Sequence, residues 1–117
     1  MINYRIIEPI NQIEFDKYYK LRWITLRKKW GQDIGSERDI SDANSIHRMI
    51  IDDNAIALAV GRLHFNSDIE SQIRYMGVHP NFRRDGFGTI LLDELEKLSL
   101  DTNHKKIVLQ SRESAIN

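Results

Sequence analysis

The chain has 117 residues, the size of one ordinary domain, so a single core is expected across residues 1–117. Its 41% hydrophobic and 29% charged residues fit a globular protein rather than a disordered or fibrous one. Seventeen basic residues balance seventeen acidic ones, which leaves no global field to hold the chain on nucleic acid or an anionic membrane; any anion site must be local.

Cysteine is absent, which excludes disulfides, thiolate catalysis and cysteine-ligated zinc. Met1 is followed by Ile-Asn-Tyr-Arg-Ile-Ile, without the basic start and apolar run of a signal peptide, and no stretch approaches the roughly 18 consecutive apolar residues of a membrane span. A cytoplasmic protein is the expectation. Tyr4 to Ile7 reads as a short strand closed by Glu8-Pro9, and Asn11-Gln12-Ile13-Glu14 as a capping box that opens a helix. Phe15, Tyr19, Trp23, Leu26 and Trp30 recur at helical spacing, which predicts an apolar stripe ended by Gly31. The triplet Arg27-Lys28-Lys29 beside Trp23 and Trp30 is better read as the solvated side of this helix than as a nucleic-acid contact.

Gln32 to Asn44 is polar and predicts a mobile loop with at most a short helix. Ile46 to Ile51 and Ala55 to Phe65 predict a β-hairpin turned by Asp52-Asp53-Asn54; Asn66 to Ser71 predicts a further turn, and Ile73 to Val78 the next strand. Gly86 to Leu100 reads as a helix and Lys106 to Leu109 as a last strand. Two breaks in strand alternation predict bulges. Ile56, Leu58 and Val60 share a phase that changes near Gly61-Arg62, and Ile73 and Tyr75 share one that slips around Met76-Gly77 before Val78. For Gly77 two readings stay open: a strand glycine that is merely tolerated, or part of a bulge that offers backbone to a ligand.

Val78-His79-Pro80-Asn81-Phe82-Arg83-Arg84-Asp85-Gly86-Phe87-Gly88 leads from strand through loop into the helix that carries Leu91, Leu95 and Leu98. A helix start offers unpaired N–H groups and the positive end of the dipole. Gly86 and Gly88 permit close backbone approach, and Arg83 and Arg84 add charge-assisted donors, so a pyrophosphate suits the segment. A dinucleotide fingerprint would need a small residue where Leu91 stands, and the Gly-Lys-Ser/Thr of a P-loop is absent.

With Arg83, Gly86 and Gly88 at those spacings, and with Val78 and Pro80 before them, the chain resembles the GNAT acetyltransferase superfamily. The order of elements resembles it over the whole chain, most specifically from Ile73 to Leu98. The resemblance implies an α/β (α+β) fold with a mixed, mainly antiparallel central sheet flanked by helices, here lacking the last helix and two strands. It also implies acetyl-CoA (coenzyme A) as co-substrate and no metal. The pyrophosphate would lie on Arg83, Arg84, Asp85, Gly86, Phe87, Gly88 and Thr89, and pantetheine would pair with the backbone of Met76, Gly77 and Val78. The acceptor would be a small-molecule amine or a protein amino group.

Some family members place a glutamate base six residues before the aliphatic anchor; that position is Gln72 here, and an amide cannot take a proton. Glu70, His64 or a chain of waters remain as candidates. Asp33, Glu37 and Asp39 lie in the loop that borders the acceptor cleft in the family, where they could attract a cationic amine or simply be solvated. His47, His64, His79 and His104 form no cluster at ligand spacing, so no metal site is expected. The chain ends just before the family's aromatic pair, which carries the tyrosine that protonates the leaving thiolate. That leaves Ile107 to Leu109 on an open sheet edge and predicts a homodimer through it. A catalytically silent module that binds coenzyme A, or works by assembly, is the second reading.

Overall fold

The computed structural model describes residues 2–26, 31 and 40–109. Strand β1 (Tyr4–Ile7) is followed by helix α1 (Gln12–Leu26), a 3-10 turn (Ile40–Asn44), the hairpin β2 (Ile46–Asp52) and β3 (Ala57–Phe65), then β4 (Glu70–Val78), a 3-10 turn (Pro80–Phe82), α2 (Phe87–Asp101) and β5 (Lys106–Leu109). The five strands lie in sequence order; β1 to β4 are antiparallel and β5 runs parallel to β4. This is the mixed, mainly antiparallel sheet that the resemblance implied. The expected mobile loop falls largely on residues 32–39, outside the described residues.

Local chemistry explains the element ends. The capping box closes as expected: Glu14 N–H donates to Asn11 Oδ1 at 2.8 Å, and Glu14 Oε1 accepts from Ile10 N–H at 2.9 Å. At the hairpin turn Asp52 Oδ1 accepts from the N–H groups of Asn54 and Ile56, at 2.8 and 2.9 Å. Strand β4 starts at Glu70, earlier than its apolar residues suggested. The reason is Ser71, which faces the core and satisfies its hydroxyl on Ser99, with the two Oγ atoms 2.6 Å apart.

The sheet is covered on both faces. Against α2 lie Ile50, Leu58, Ala59, Leu63 and Ile73 together with Phe87, Leu91 and Leu95; against α1 lie Met49, Ile51, Ala57 and Val60 with Tyr18 and Leu21. Leu91 and Leu95 are fully buried, worth about 1.5–3 kcal/mol each in surface removed from water. The buried line of α1 differs from the expected stripe. Tyr18, Leu21 and Arg22 face the sheet, whereas Phe15 and Tyr19 stack on each other at its flank, ring centroids 5.9 Å apart. A charged side chain holds a core position because its charge is met there, as shown below. Trp30 lies outside the described residues.

The bulges also differ in detail from the sequence expectation. Leu58 and Ala59 both point to the α2 core, while Ala57 and Val60 point to the α1 core, so the phase of β3 changes there and not at Gly61-Arg62. The register of β2 on β3 shifts at the same level, between Ile50 and Ile51. The irregularity opposite Gly61 belongs to β4: Val60 pairs with Gly77 and Arg62 with Arg74, which leaves Tyr75 and Met76 facing the single residue Gly61. Tyr75 takes φ 56°, a left-handed conformation uncommon for an aromatic residue.

Gly77 has a specific reason to be glycine. A Cβ there would stand 2.8 Å from Thr25 Cβ and closer still to its hydroxyl, because α1 crosses β4 at this point. Gly77→Ala should therefore lower stability by about 1–3 kcal/mol, read as a lower urea midpoint, and Thr25→Ala in the same chain should recover part of the loss. An unchanged midpoint would contradict the close crossing.

Candidate functional site

β5 pairs with β4 only from Glu70 to Ile73, where Leu109 is the last described partner. From Arg74 to Val78 no strand among the described residues lies on that side of β4, and the Tyr75-Met76 bulge begins two residues beyond the last described pair, Ile73 with Leu109. The free stretch ends at the loop that enters α2. There Phe82 N–H donates to His79 O at 2.8 Å, and His79 Nδ1 accepts from Asn81 N–H at 3.1 Å, which fixes a tight 3-10 turn.

Gly86 sits before α2 with φ 82°, and no side chain caps the helix. The first helical hydrogen bond runs from Ile90 N–H to Gly86 O at 3.1 Å, so the N–H groups of Phe87, Gly88 and Thr89 precede the ladder and point out of the helix. Asp85 N–H is less available, since it already donates to Phe82 O at 3.3 Å. Arg83, Arg84, Asp85 and Gly86 are exposed. Phe87 contributes backbone only: its ring is buried in the α2 core and meets Tyr4 edge-on at 5.5 Å. The two motif glycines serve different ends. Gly86 needs the left-handed conformation and has open space around it, whereas a Cβ on Gly88 would stand 3.3 Å from Val78 Cγ2, so Gly88 seats the helix start on the strand.

On the α1 side of the same strands lies a polar cluster that hydropathy did not reveal. Asp42 Oδ1 accepts from Arg22 Nη1 and Arg62 Nη1, each at 3.0 Å, and both arginines are fully buried. Arg22 also donates to Tyr18 Oη at 3.0 Å. His47 Nε2 is 2.7 Å from the Asp42 carbonyl, which can only accept, so Nε2 carries a proton, while Tyr18 Oη lies 2.7 Å from Nδ1 and 3.0 Å from the Gly61 carbonyl, the two groups that compete for its one proton. The guanidinium carbons of Arg22, Arg62 and Arg74 lie 4.7, 4.7 and 5.0 Å from the centre of the Tyr75 ring. Beyond α1's first turns, a surface groove of about 530 Å³ is lined by Glu8, Pro9, Phe15, Tyr19, Asp42 and His47 among others.

Burial holds His47 below its ordinary range, and the Arg22 and Arg62 cations act in the same direction against the pull of the Asp42 carbonyl. The unfolded chain takes up this proton near pH 6.5, the native chain only at lower pH, so the unfolded state binds more protons in between. Stability is thus fully present above about pH 6.5 and falls as the pH drops through that window. The thermal midpoint should decline from pH 7 to pH 5.5, and His47→Gln should flatten that slope while lowering the midpoint at pH 7.

Glu70 and His64 occupy different settings. The Glu70 carboxylate accepts from Asn66 Nδ2 at 2.9 Å and pairs with Lys106 at 3.4 Å; these contacts hold it below the usual carboxylate range and make it a weaker proton acceptor. It lies five residues before the bulge, about 16 Å along the strand. His64 is directly across from Gln72 and diagonal to Arg74, at a spacing of about 7–8 Å. Its Nδ1 is buried without a hydrogen-bond partner. Asp33, Glu37 and Asp39 lie outside the described residues. Among the described residues no group of three or more His, Asp or Glu could hold a metal ion, and no helix is long and apolar enough to cross a membrane.

The comparisons with known proteins converge. The family model described as the acetyltransferase (GNAT) family matches residues 8–117. An acetyltransferase of the GNAT family from Staphylococcus aureus Mu50 superposes with a TM-score of 0.80 at 16% identity, over 97% of this chain and 77% of that one. A GNAT family acetyltransferase from Elizabethkingia anophelis with acetyl-CoA bound gives 0.71 at 16% identity, over 97% and 69%. A predicted acetyltransferase from Clostridium acetobutylicum with acetyl-CoA gives 0.72 at 18%, over 98% and 84%.

Proposed function

The chain belongs to the GNAT acetyltransferase family, and from that premise we propose that it moves an acetyl group from acetyl-CoA directly to a primary amine of a small molecule or protein. The observation that carries this reading is the continuity of the β4 stretch from Arg74 to Val78, which has no β5 partner among the described residues, with the uncapped first turn of α2. Pantetheine can add to this stretch as a further strand through the backbone of Met76, Gly77 and Val78. The pyrophosphate is then received by the N–H groups of Phe87, Gly88 and Thr89, with Arg83 and Arg84 beside it.

In the transfer the amine nitrogen forms a bond to the thioester carbonyl carbon, the C–S bond breaks and coenzyme A leaves as thiolate. The nitrogen must shed a proton, and we assign its acceptor to His64, which lies across the β3–β4 ladder from Gln72 and diagonal to Arg74. The balancing proton reaches the thiolate from solvent. Backbone N–H groups near the bulge would polarise the carbonyl as negative charge develops on its oxygen. Gln72 at the place of the family's glutamate favours a second reading, a module that binds coenzyme A without turnover.

Isothermal titration of coenzyme A into the chain tests the reading. Micromolar binding is expected. Gly86→Asp is a clean control, because aspartate tolerates a left-handed conformation, nothing crowds the position, and a carboxylate at a helix start does not harm folding. It should nevertheless weaken binding at least about tenfold by placing a negative charge in the anion site. No binding by the folded parent chain would overturn the assignment, and binding without acetylation of any amine would favour the silent module.

A further inference from the structure

The β4 residue that precedes the bulge points to a feature of the substrate itself. Arg74 is the last β4 residue before the bulge, on the α1 face and next to Ile73, the last β4 residue with a described β5 partner. Its guanidinium lies 5.0 Å from the Tyr75 ring centre, and the left-handed turn at Tyr75 keeps that ring under it. The ring is shared with Arg22 and Arg62, so Arg74 stands in a positive neighbourhood. Asp42 accepts from Arg22 and Arg62 and not from Arg74. Among the described residues no carboxylate lies within ion-pair distance of Arg74, which is half-buried and not freely solvated. A planar cation beside an aromatic ring, partly dehydrated and with no carboxylate at hand among the described residues, is a prepared receptor for a carboxylate or phosphate.

We infer that the acceptor is an amine carrying an anionic group, carboxylate or phosphate, and that Arg74 is the specificity-determining residue that binds this group while the amine reaches the thioester. The inference rests on the acetyl-transfer reading. It departs from the attraction for a simple cationic amine that the acidic residues of the 32–39 segment suggested. Arg74 acts on binding and positioning, not on the proton transfer.

The test is a set of titrations on the chain with coenzyme A bound, using ethanolamine, phosphoethanolamine and β-alanine as probes. Phosphoethanolamine, β-alanine or both should bind at least tenfold more tightly than ethanolamine, and which of the two binds better identifies the anion. Arg74→Ala should remove that margin, so that all three amines bind alike, and Arg74→Lys should keep part of it. Circular dichroism melts of both variants confirm that they are folded. Equal binding of the neutral and anionic amines, or a margin that survives Arg74→Ala, overturns the inference. Failure of the parent chain to bind coenzyme A would instead sink the acetyl-transfer reading, and the amine titrations on the free chain would still decide the role of Arg74.

Discussion

Asp42→Ala should lower the unfolding free energy by about 3–5 kcal/mol, a large part of the roughly 5–15 kcal/mol that holds a domain of this size together. The carboxylate bridges Arg22 and Arg62, two guanidiniums that are wholly shielded from water and share the Tyr75 ring. Without it, both guanidiniums lose the carboxylate they share, in a medium that screens charge poorly. Asp42→Asn should cost nearly as much, because it keeps the shape and removes the charge. Urea unfolding followed by circular dichroism gives the number. Arg62→Met in the Asp42→Ala chain should recover part of the loss, since an apolar side chain of similar length removes one of the two charges that Asp42 had met. A loss below about 1 kcal/mol for Asp42→Ala would mean that the guanidiniums do not depend on Asp42.

That cluster also shows where sequence reading stops. The strands Tyr4–Ile7 and Lys106–Leu109 were legible to the residue, because short β-branched runs bounded by polar turns admit one phase. The capping box and the glycine loop were legible because their chemistry is local: a side chain reaches its own backbone, and a left-handed glycine precedes a helix. The face of α1 was not. A hydropathy stripe places Phe15 and Tyr19 inward and Arg22 outward, and only the partner Asp42, twenty residues away and itself in a polar segment, makes Arg22 a core residue. The same limit applies to the bulges. Alternation signals that a phase changes, but the register of the neighbouring strand decides which strand carries the extra residue, and it assigned the irregularity opposite Gly61 to Tyr75 and Met76. Arg74 gave no sequence signal at all, since its meaning depends on which anions are absent around it.

The base is the part of the site for which local sequence gave candidates and the fold gives an order among them. Glu70 is held by Asn66 and Lys106 at the far end of β4, whereas His64 faces Gln72 across the β3–β4 ladder with a buried nitrogen that no protein group occupies. An amine approaching a thioester near the bulge lies closer to His64, which is diagonal to Arg74 at about 7–8 Å, than to Glu70, about 16 Å from the bulge along the strand. His64→Gln should therefore lower kcat/KM by about 10²–10⁴-fold, the range expected for loss of a positioned general base, with coenzyme A binding unchanged because the pyrophosphate loop lies at the other end of β4. Glu70→Gln should change kcat/KM less than about threefold and act mainly on the local pairing with Lys106. If the two effects came out reversed, the proton would leave through the start of β4, and the assignment of His64 would fail while the site for coenzyme A stood.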